Sequence, residues 1–476
     1  MPCSHFVFTQ KVRTFLMNNL SAGFSRVNIT PMMGIGIVGY FVPRFAEGVL
    51  DELYVNALAL QAGSEKAVVL TLDNCGIARD VAMDFAASIS RATGIPADGI
   101  LLHCTHTHTA PPLIDPDMPA PLNGDFDSVD PVKEKAYYEF VRARLCDAAQ
   151  FALNDLKPAK MGYGIGEAPN IAFVRRFRMK DGSVQTNPGV DNPGIDHPIG
   201  DVDERVNVLR FDREGGESIV LVNFGDHPDV VGGNLISGDW PALTRDVVEK
   251  ILDNTKCLVC NGAQGDVNHV NVHPRGGYLN GMFHDFDDVS RGYSHARYMA
   301  RVVTGGVLQA FDKVQYVDVE SLRAIRRTIE VPSNMPTAEE LIQAEKIHAL
   351  HEAGRDAELP YSGMMLTTMV AEAGRMVKLK DGPASFPMEL SGLAIGPVAM
   401  IGIPGEPFTG IGRGLKLAEG WDLVLPCCLT NGNEGYFPMQ DAYDEGGYES
   451  QSSFFKAGVA EFLIEEGTKL LKDLRK

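Results

Sequence analysis

Residues Leu101 to Pro112 read LLHCTHTHTAPP, and their histidines are the first place where the sequence offers chemistry. Leu101 and Leu102 close an apolar run, so the spacing predicts a buried strand that carries His106 and His108 on one face, because alternate strand residues point the same way. Two imidazoles on a shared face suit a metal ion, or else form a hydrogen-bonded pair of no chemical consequence. His103 has the opposite parity to His106 and reads as a core histidine. Other apolar runs also end in polar clusters. Asn223-Phe-Gly leads to Asp226 and His227, Cys260 leads to Asp266, Asn268 and His269, Ile403-Pro-Gly leads to Glu406, and a run ending at Cys427 leads to Tyr436. Open α/β sheets place ligands at the C-terminal ends of their strands. His106, His108, His227, Glu406 and Tyr436 are therefore the strand-end candidates for a metal site. Histidine plus carboxylate is the hydrolytic donor set, about three protein ligands with one position left for water.

The elements that must position these residues are legible in outline. Ala67 to Asp73, a helix over Arg79–Thr93 and the strand before the histidines give strand, helix, strand, which predicts parallel neighbours joined by a crossover. Asp73 either supports a histidine or caps that helix. The glycines near Gly36 and Gly39 lack the GxxxxGK[ST] pattern of a phosphate cradle and read as a loop lining the site. Residues 131–155 form an amphipathic helix with Tyr137, Phe140, Val141, Leu145, Ala149 and Leu153 on one side. Arg175, Arg176 and Arg178 lie together on a strand that is either solvated or functional. A Gly- and Pro-rich loop spans 182–204, followed by a hairpin over Val206–Phe211 and Ser218–Phe224. The segments 336–354 and 361–378 read as two helices outside the alternating pattern, an insertion or lid. The expected fold is α/β, a large single catalytic domain over 20–476 with mixed β-sheets flanked by helices in two or three layers. The metal site sits at the strand C-terminal ends. Residues 1–19 form an extension, with Met17 as an alternative start.

Composition sets limits on partners. With 62 acidic and 43 basic residues the net charge is −19, which repels nucleic acid and anionic membranes. No window reaches the ~18 apolar residues of a membrane span, and the first residues lack the apolar core of a signal peptide. Eight scattered cysteines read as reduced core residues, and Cys257 and Cys260 fall on opposite strand faces. The expected partner is a small-molecule substrate, with no nucleic acid and no stable membrane association, and a homo-oligomer stays open. The expected location is cytoplasmic.

Taken together and in order, Thr105-His-Thr-His-Thr-Ala-Pro, Asp226-His-Pro, Gly265-Asp-Val, Pro404-Gly-Glu and the Gly-Tyr-Phe-Pro at Tyr436 give the chain a family likeness. It resembles the catalytic N-terminal domain of the neutral/alkaline, non-lysosomal ceramidases, as a divergent member matched from about residue 20 to the end. The resemblance implies a zinc ion held by His106, His227, Glu406 and Tyr436. His108 becomes a proton-transfer or oxyanion-stabilising group, Arg175 lies near the reacting centre, and Asp266 belongs to the catalytic set. The family's GDVSPN serine is replaced, since this chain reads Gly265-Asp-Val-Asn268-His269. Asparagine donates a hydrogen bond but is no nucleophile, so Asn268 takes an oxyanion or substrate-binding role and His269 is a replacement acid or base. The match omits the C-terminal β-sandwich of ceramidases, which favours a soluble substrate over a membrane lipid. The implied activity is zinc-dependent hydrolysis of an amide or related acyl linkage by metal-activated water. The alternative is a metal-dependent lyase, isomerase or glycoside-cleaving enzyme on the same scaffold.

Overall fold

The run Tyr54–Ala62 has no polar face, and what covers it explains why. Val55, Ala57 and Ala59 pack into one buried cluster with helical residues, while Leu58, Leu60 and Ala62 pack into another with residues of a second sheet. A strand covered on both faces loses the alternation of a half-exposed one. The computed structural model describes residues 19–118 and 130–476. The extension expected over 1–19, with Met17, lies outside the described residues except for Asn19.

One sheet begins with β1 (Leu20–Asn28), β2 (Tyr54–Ala62), β3 (Glu65–Leu72) and β4 (Ile100–Cys104), backed by α1 (Arg79–Thr93) and α2 (Pro131–Asn154). It continues through β5 (Lys157–Glu167), β6 (Arg205–Arg213), β7 (Ser218–Phe224) and β8 (Thr255–Asn261), backed by α3 (Asp239–Ile251) and α4 (Tyr293–Phe311). The spatial order is β8-β7-β6-β5-β1-β2-β3-β4, with the short strand Gln315–Val317 also on β5. The two halves meet through only Ser21 and Ala22 of β1, paired with Pro158 and Lys157 of β5. So narrow a joint lets the far edge return. The Asn261 N–H at the end of β8 donates to His103 Nε2 of β4 at 2.8 Å, and the Asn261 side chain donates to the Thr105 carbonyl at 3.4 Å. The ends of β4 and β8 are thereby held together.

The second sheet runs β9 (Leu322–Pro332), β10 (Ser385–Ile395), β11 (Val398–Gly402) and β12 (Leu423–Cys427). One face packs on the first sheet through Leu393, Met400 and Leu425. The other is covered by α7 (Thr409–Lys416) and α8 (Val459–Leu474). Helices, sheet, sheet and helices make four layers, one more than the two or three expected, because strands such as β2, β4, β7, β11 and β12 bury both faces. Between β9 and β10, which pair directly, lie α5 (Ala338–Glu352) and α6 (Gly363–Leu379) with their own small core around Ile347 and Val370.

The parallel neighbours expected around α1 are present as β3 and β4. Two more strand-helix-strand units follow, β7 with β8 about α3 and β11 with β12 about α7. One more expectation needs correction. The loop 182–204 contains the strands Val184–Thr186 and Ile195–Pro198, which flank Arg176–Met179 in a three-stranded sheet. Of the two readings open for the strand of arginines, the solvated one is excluded for Arg175 and Arg176, which are buried. Cys257 and Cys260 enter different core clusters, and the seven described cysteines are free. Among the described residues no helix is long and apolar enough to cross a membrane.

Candidate metal centre

The three strand-helix-strand units deliver their loops to one point. β4 stops at Cys104, so the expected strand through His106 and His108 is a turn instead. The Thr105 N–H donates to the Leu72 carbonyl and the His106 N–H to the Asn74 carbonyl, and His106 has φ of 79°. A non-glycine residue in that region is uncommon and is held by its surroundings. The turn, rather than the strand pleat, brings the two rings together, with 3.3 Å between their Nε2 atoms.

His106 Nδ1 donates to the Cys75 carbonyl at 2.6 Å, which fixes the proton there and leaves the Nε2 lone pair for a cation. Nε2 stands 3.2 Å from Glu406 Oε2, and His227 Nδ1 stands 3.7 Å from the same oxygen. One donor atom from each of His106, His227 and Glu406 lies within 4.8 Å of the others, all three residues buried. Cys75, His106 and His108 form a second such group that shares His106. Tyr436 pairs with Glu406 between two-residue strands and interacts with its carboxylate. All four residues of the implied zinc set therefore converge.

Electrostatics sort their roles. Burial works against a charge on His106, but Glu406 and the Cys75 thiol outweigh it and hold the ring well above the usual histidine range. That pair of atoms attracts a positive charge. Burial, reinforced by neighbouring His106, holds His108 well below its usual range, and burial with Arg175 does the same to His227. Both rings keep free lone pairs near neutrality. Burial and the Glu406 carboxylate push the Tyr436 hydroxyl well up, so it stays protonated.

Arg175 lies beside the ligands. Its Nε donates to Glu449 at 2.6 Å, its Nη2 to the Gly265 carbonyl at 2.8 Å, and its Nη1 is 3.5 Å from His227 Nδ1. Its guanidinium sits 5.3 Å from the centre of the Tyr436 ring. Glu449 is fully buried, yet as a single acid before a serine cluster it carries no signal in the sequence.

The cluster 266–269 is engaged elsewhere. Asp266 Oδ1 accepts from the Thr409 N–H and hydroxyl, both at 2.7 Å, at the start of α7. Asn268 donates to Asn187 Oδ1 and accepts from the Val270 N–H, each at 3.0 Å. His269 Nε2 donates to the Ser290 carbonyl at 2.7 Å, with Nδ1 3.3 Å from Asp229. None of the three lines the cavity over the candidate metal-binding residues. Their loop positions Arg175 instead, through the Asp266 and Gly265 carbonyls. Asp73, an expected support or cap, accepts from the Tyr54 N–H and from Arg245 of α3.

That cavity measures about 200 Å³ and is walled by Gly39 and Phe41, by His106, His108, Glu406 and Tyr436, and by α5 and α6. The glycine loop thus lines the site as expected. Gly39 has φ of 113° and lies so close that a Cβ would stand 2.6 Å from His108 Cγ.

No family model matches the chain, and no curated protein does. Solved structures do match. A neutral ceramidase from Pseudomonas aeruginosa superposes with a TM-score of 0.67 at 15% identity, covering 96% of this chain and 75% of the other. A ceramidase complexed with C2 gives a TM-score of 0.67 at 16% identity, covering 96% and 76%. Across nearly its whole length, this chain carries the neutral ceramidase fold in a divergent sequence.

Proposed function

We propose that this chain is a zinc-dependent hydrolase that cleaves an amide or related acyl linkage of a small soluble substrate. The observation that carries this reading is the convergence of His106, His227 and Glu406, with His106 and Glu406 lining a cavity. With a metal ion in place of the proton that Glu406 draws onto His106, two imidazoles and a carboxylate would fit zinc, and Tyr436 stands beside them. When bound there, zinc polarises a carbonyl oxygen and lowers the pKa of water toward neutrality.

The chain's own groups supply the rest. The protonated Tyr436 hydroxyl can donate to an oxygen that gains charge, and Arg175, held by Glu449, adds a fixed positive field beside it. His108 is neutral and lines the cavity with its Nε2 3.3 Å from His106 Nε2, so this ring can take up a proton and return it to a leaving amine. Gly39 and Phe41 wall this point on one side and the helical pair on the other. Free cysteines and an acidic surface support a reducing, cytoplasmic setting. The test is a screen of N-acyl substrates beside esters, glycosides and lyase substrates. Release of a free acid and an amine is expected, and cleavage confined to glycosides or elimination substrates would sink the hydrolase reading.

A further inference from the structure

The helical pair α5 and α6 does more than roof the cavity. Val370, Ala371, Gly374, Arg375 and Lys378 fall on one side of α6 at helical spacing and form a cavity wall. The first three give a small, apolar surface, and the last two end it with two cations. The chain carries a net charge of −19, so two cations side by side in its substrate cavity are unexpected by composition.

Arg375 is 5% exposed and makes no ion pair with a described residue. Its Nε donates to the Gln451 carbonyl at 2.8 Å and its Nη1 to the Asn334 carbonyl at 2.7 Å. Neutral carbonyls fix the guanidinium without cancelling its charge, and they leave part of its five-donor fork free. The nearby Glu372 carboxyl is itself raised by burial and accepts from Gln451 rather than from Arg375. Lys378 is half-buried and likewise makes no ion pair with a described residue. The acid on this wall, Glu352, is exposed and screened by water. Glu372 and Glu340 act on Arg375 from beyond ion-pair distance, and a buried charge with no direct counter-ion costs free energy that a ligand can offset.

We propose that the substrate carries a carboxylate at the end remote from the scissile linkage, and that Arg375 and Lys378 receive it. The proposal rests on the hydrolase reading for the linkage and narrows the substrate to an N-acyl ω-amino acid type, in which an alkyl chain separates the amide from the acid. The metal ligands take the amide, the apolar stretch takes the connecting carbons, and the cations take the acid. Arg375 and Lys378 are then specificity residues that act on binding and orientation and not on the bond that breaks.

Calorimetry with N-acetyl-8-aminooctanoic acid and its neutral analogue N-acetyl-8-aminooctanamide tests this on the zinc-loaded protein and on His106→Ala, which isolates the cations from the metal. We expect the acid to bind at least tenfold tighter than the amide in both proteins. Lys378→Met and Arg375→Met should each reduce that preference severalfold, and Lys378→Glu should abolish it, with affinity for the amide held within twofold. Arg375 also ties α6 to two loops, so the Lys378 variants carry the test if Arg375→Met misfolds. Equal affinity for acid and amide, or a preference that survives Lys378→Glu, would overturn the proposal. Hydrolysis is followed in parallel, and its absence would count against the hydrolase reading and not against the anion site.

Discussion

The proposed metal site depends on the Nε2 of His106, because the Cys75 carbonyl holds the proton at Nδ1. Removing His106 or Glu406 leaves too few donors for tight binding. We expect His106→Ala and Glu406→Ala each to lose bound zinc, measured by elemental analysis, and to lose activity by roughly 10³-fold or more. His108→Ala should keep the zinc and lose about 10²–10⁴-fold in kcat, since it removes a proton carrier and spares the ligand set. A His108 variant that loses the metal would move that residue into the ligand set with Cys75. The convergence of His106, His227, Glu406 and Tyr436 was legible because each follows an apolar strand and because the separated motifs occur in family order. The turn at His106 was not. A positive φ in a histidine depends on contacts with Leu72 and Asn74, which no local pattern encodes. Asn268 and His269 show the same limit, since their partners Asn187 and Ser290 are remote in sequence.

Elements hold these residues at distances that chemistry requires. Gly39 brings the loop before β2 against His108, so Gly39→Ala should displace that ring. We expect a kcat loss of about 10²-fold with zinc content unchanged, the size of effect that an ångström of misplacement produces. His103 on β4 accepts from the Asn261 N–H and donates to the Cys428 carbonyl, which joins both sheets. Burial lowers its pKa from 6.5 to about 4. The folded state then binds fewer protons than the unfolded one between those values, so stability is full above pH 6.5 and falls as pH drops toward 4. A shift of that size corresponds to roughly 3 kcal/mol. His103→Gln should lower stability at pH 7 and flatten its pH dependence over that window, read by denaturant unfolding at several pH values. An unchanged slope would show that His103 does not titrate as argued. The core position of His103 was readable from the sequence, and so were α1, α2 and the pair of helices α5 and α6. The three-stranded sheet around Arg176 was hidden because its short strands sit among Gly, Pro and Asp residues that read as turns.

At the scale of the whole molecule, two sheets pressed face to face bring the ends of β4, β7, β11 and β12 to one point. The donors therefore come from segments hundreds of residues apart, and the complete site exists only in the folded chain. A zinc ion that binds the folded state alone stabilises it, by about 4 kcal/mol when free zinc is a thousandfold above its Kd. Chelation should lower Tm reversibly, and the shift should vanish in Glu406→Ala. The α/β class and the mixed sheets were readable from strands and helices in order. The four-layer stack was not, because continuous apolar runs do not say what covers each face. The central claim is that His106, His227 and Glu406 hold one zinc ion that hydrolysis of an acyl linkage requires. Titrating zinc into metal-stripped protein while following acid and amine release from an N-acyl substrate tests it most directly. We expect activity to rise with zinc and to saturate at one equivalent per chain, with no recovery in His106→Ala. Full hydrolysis in the stripped protein, or equal recovery in His106→Ala, would contradict it.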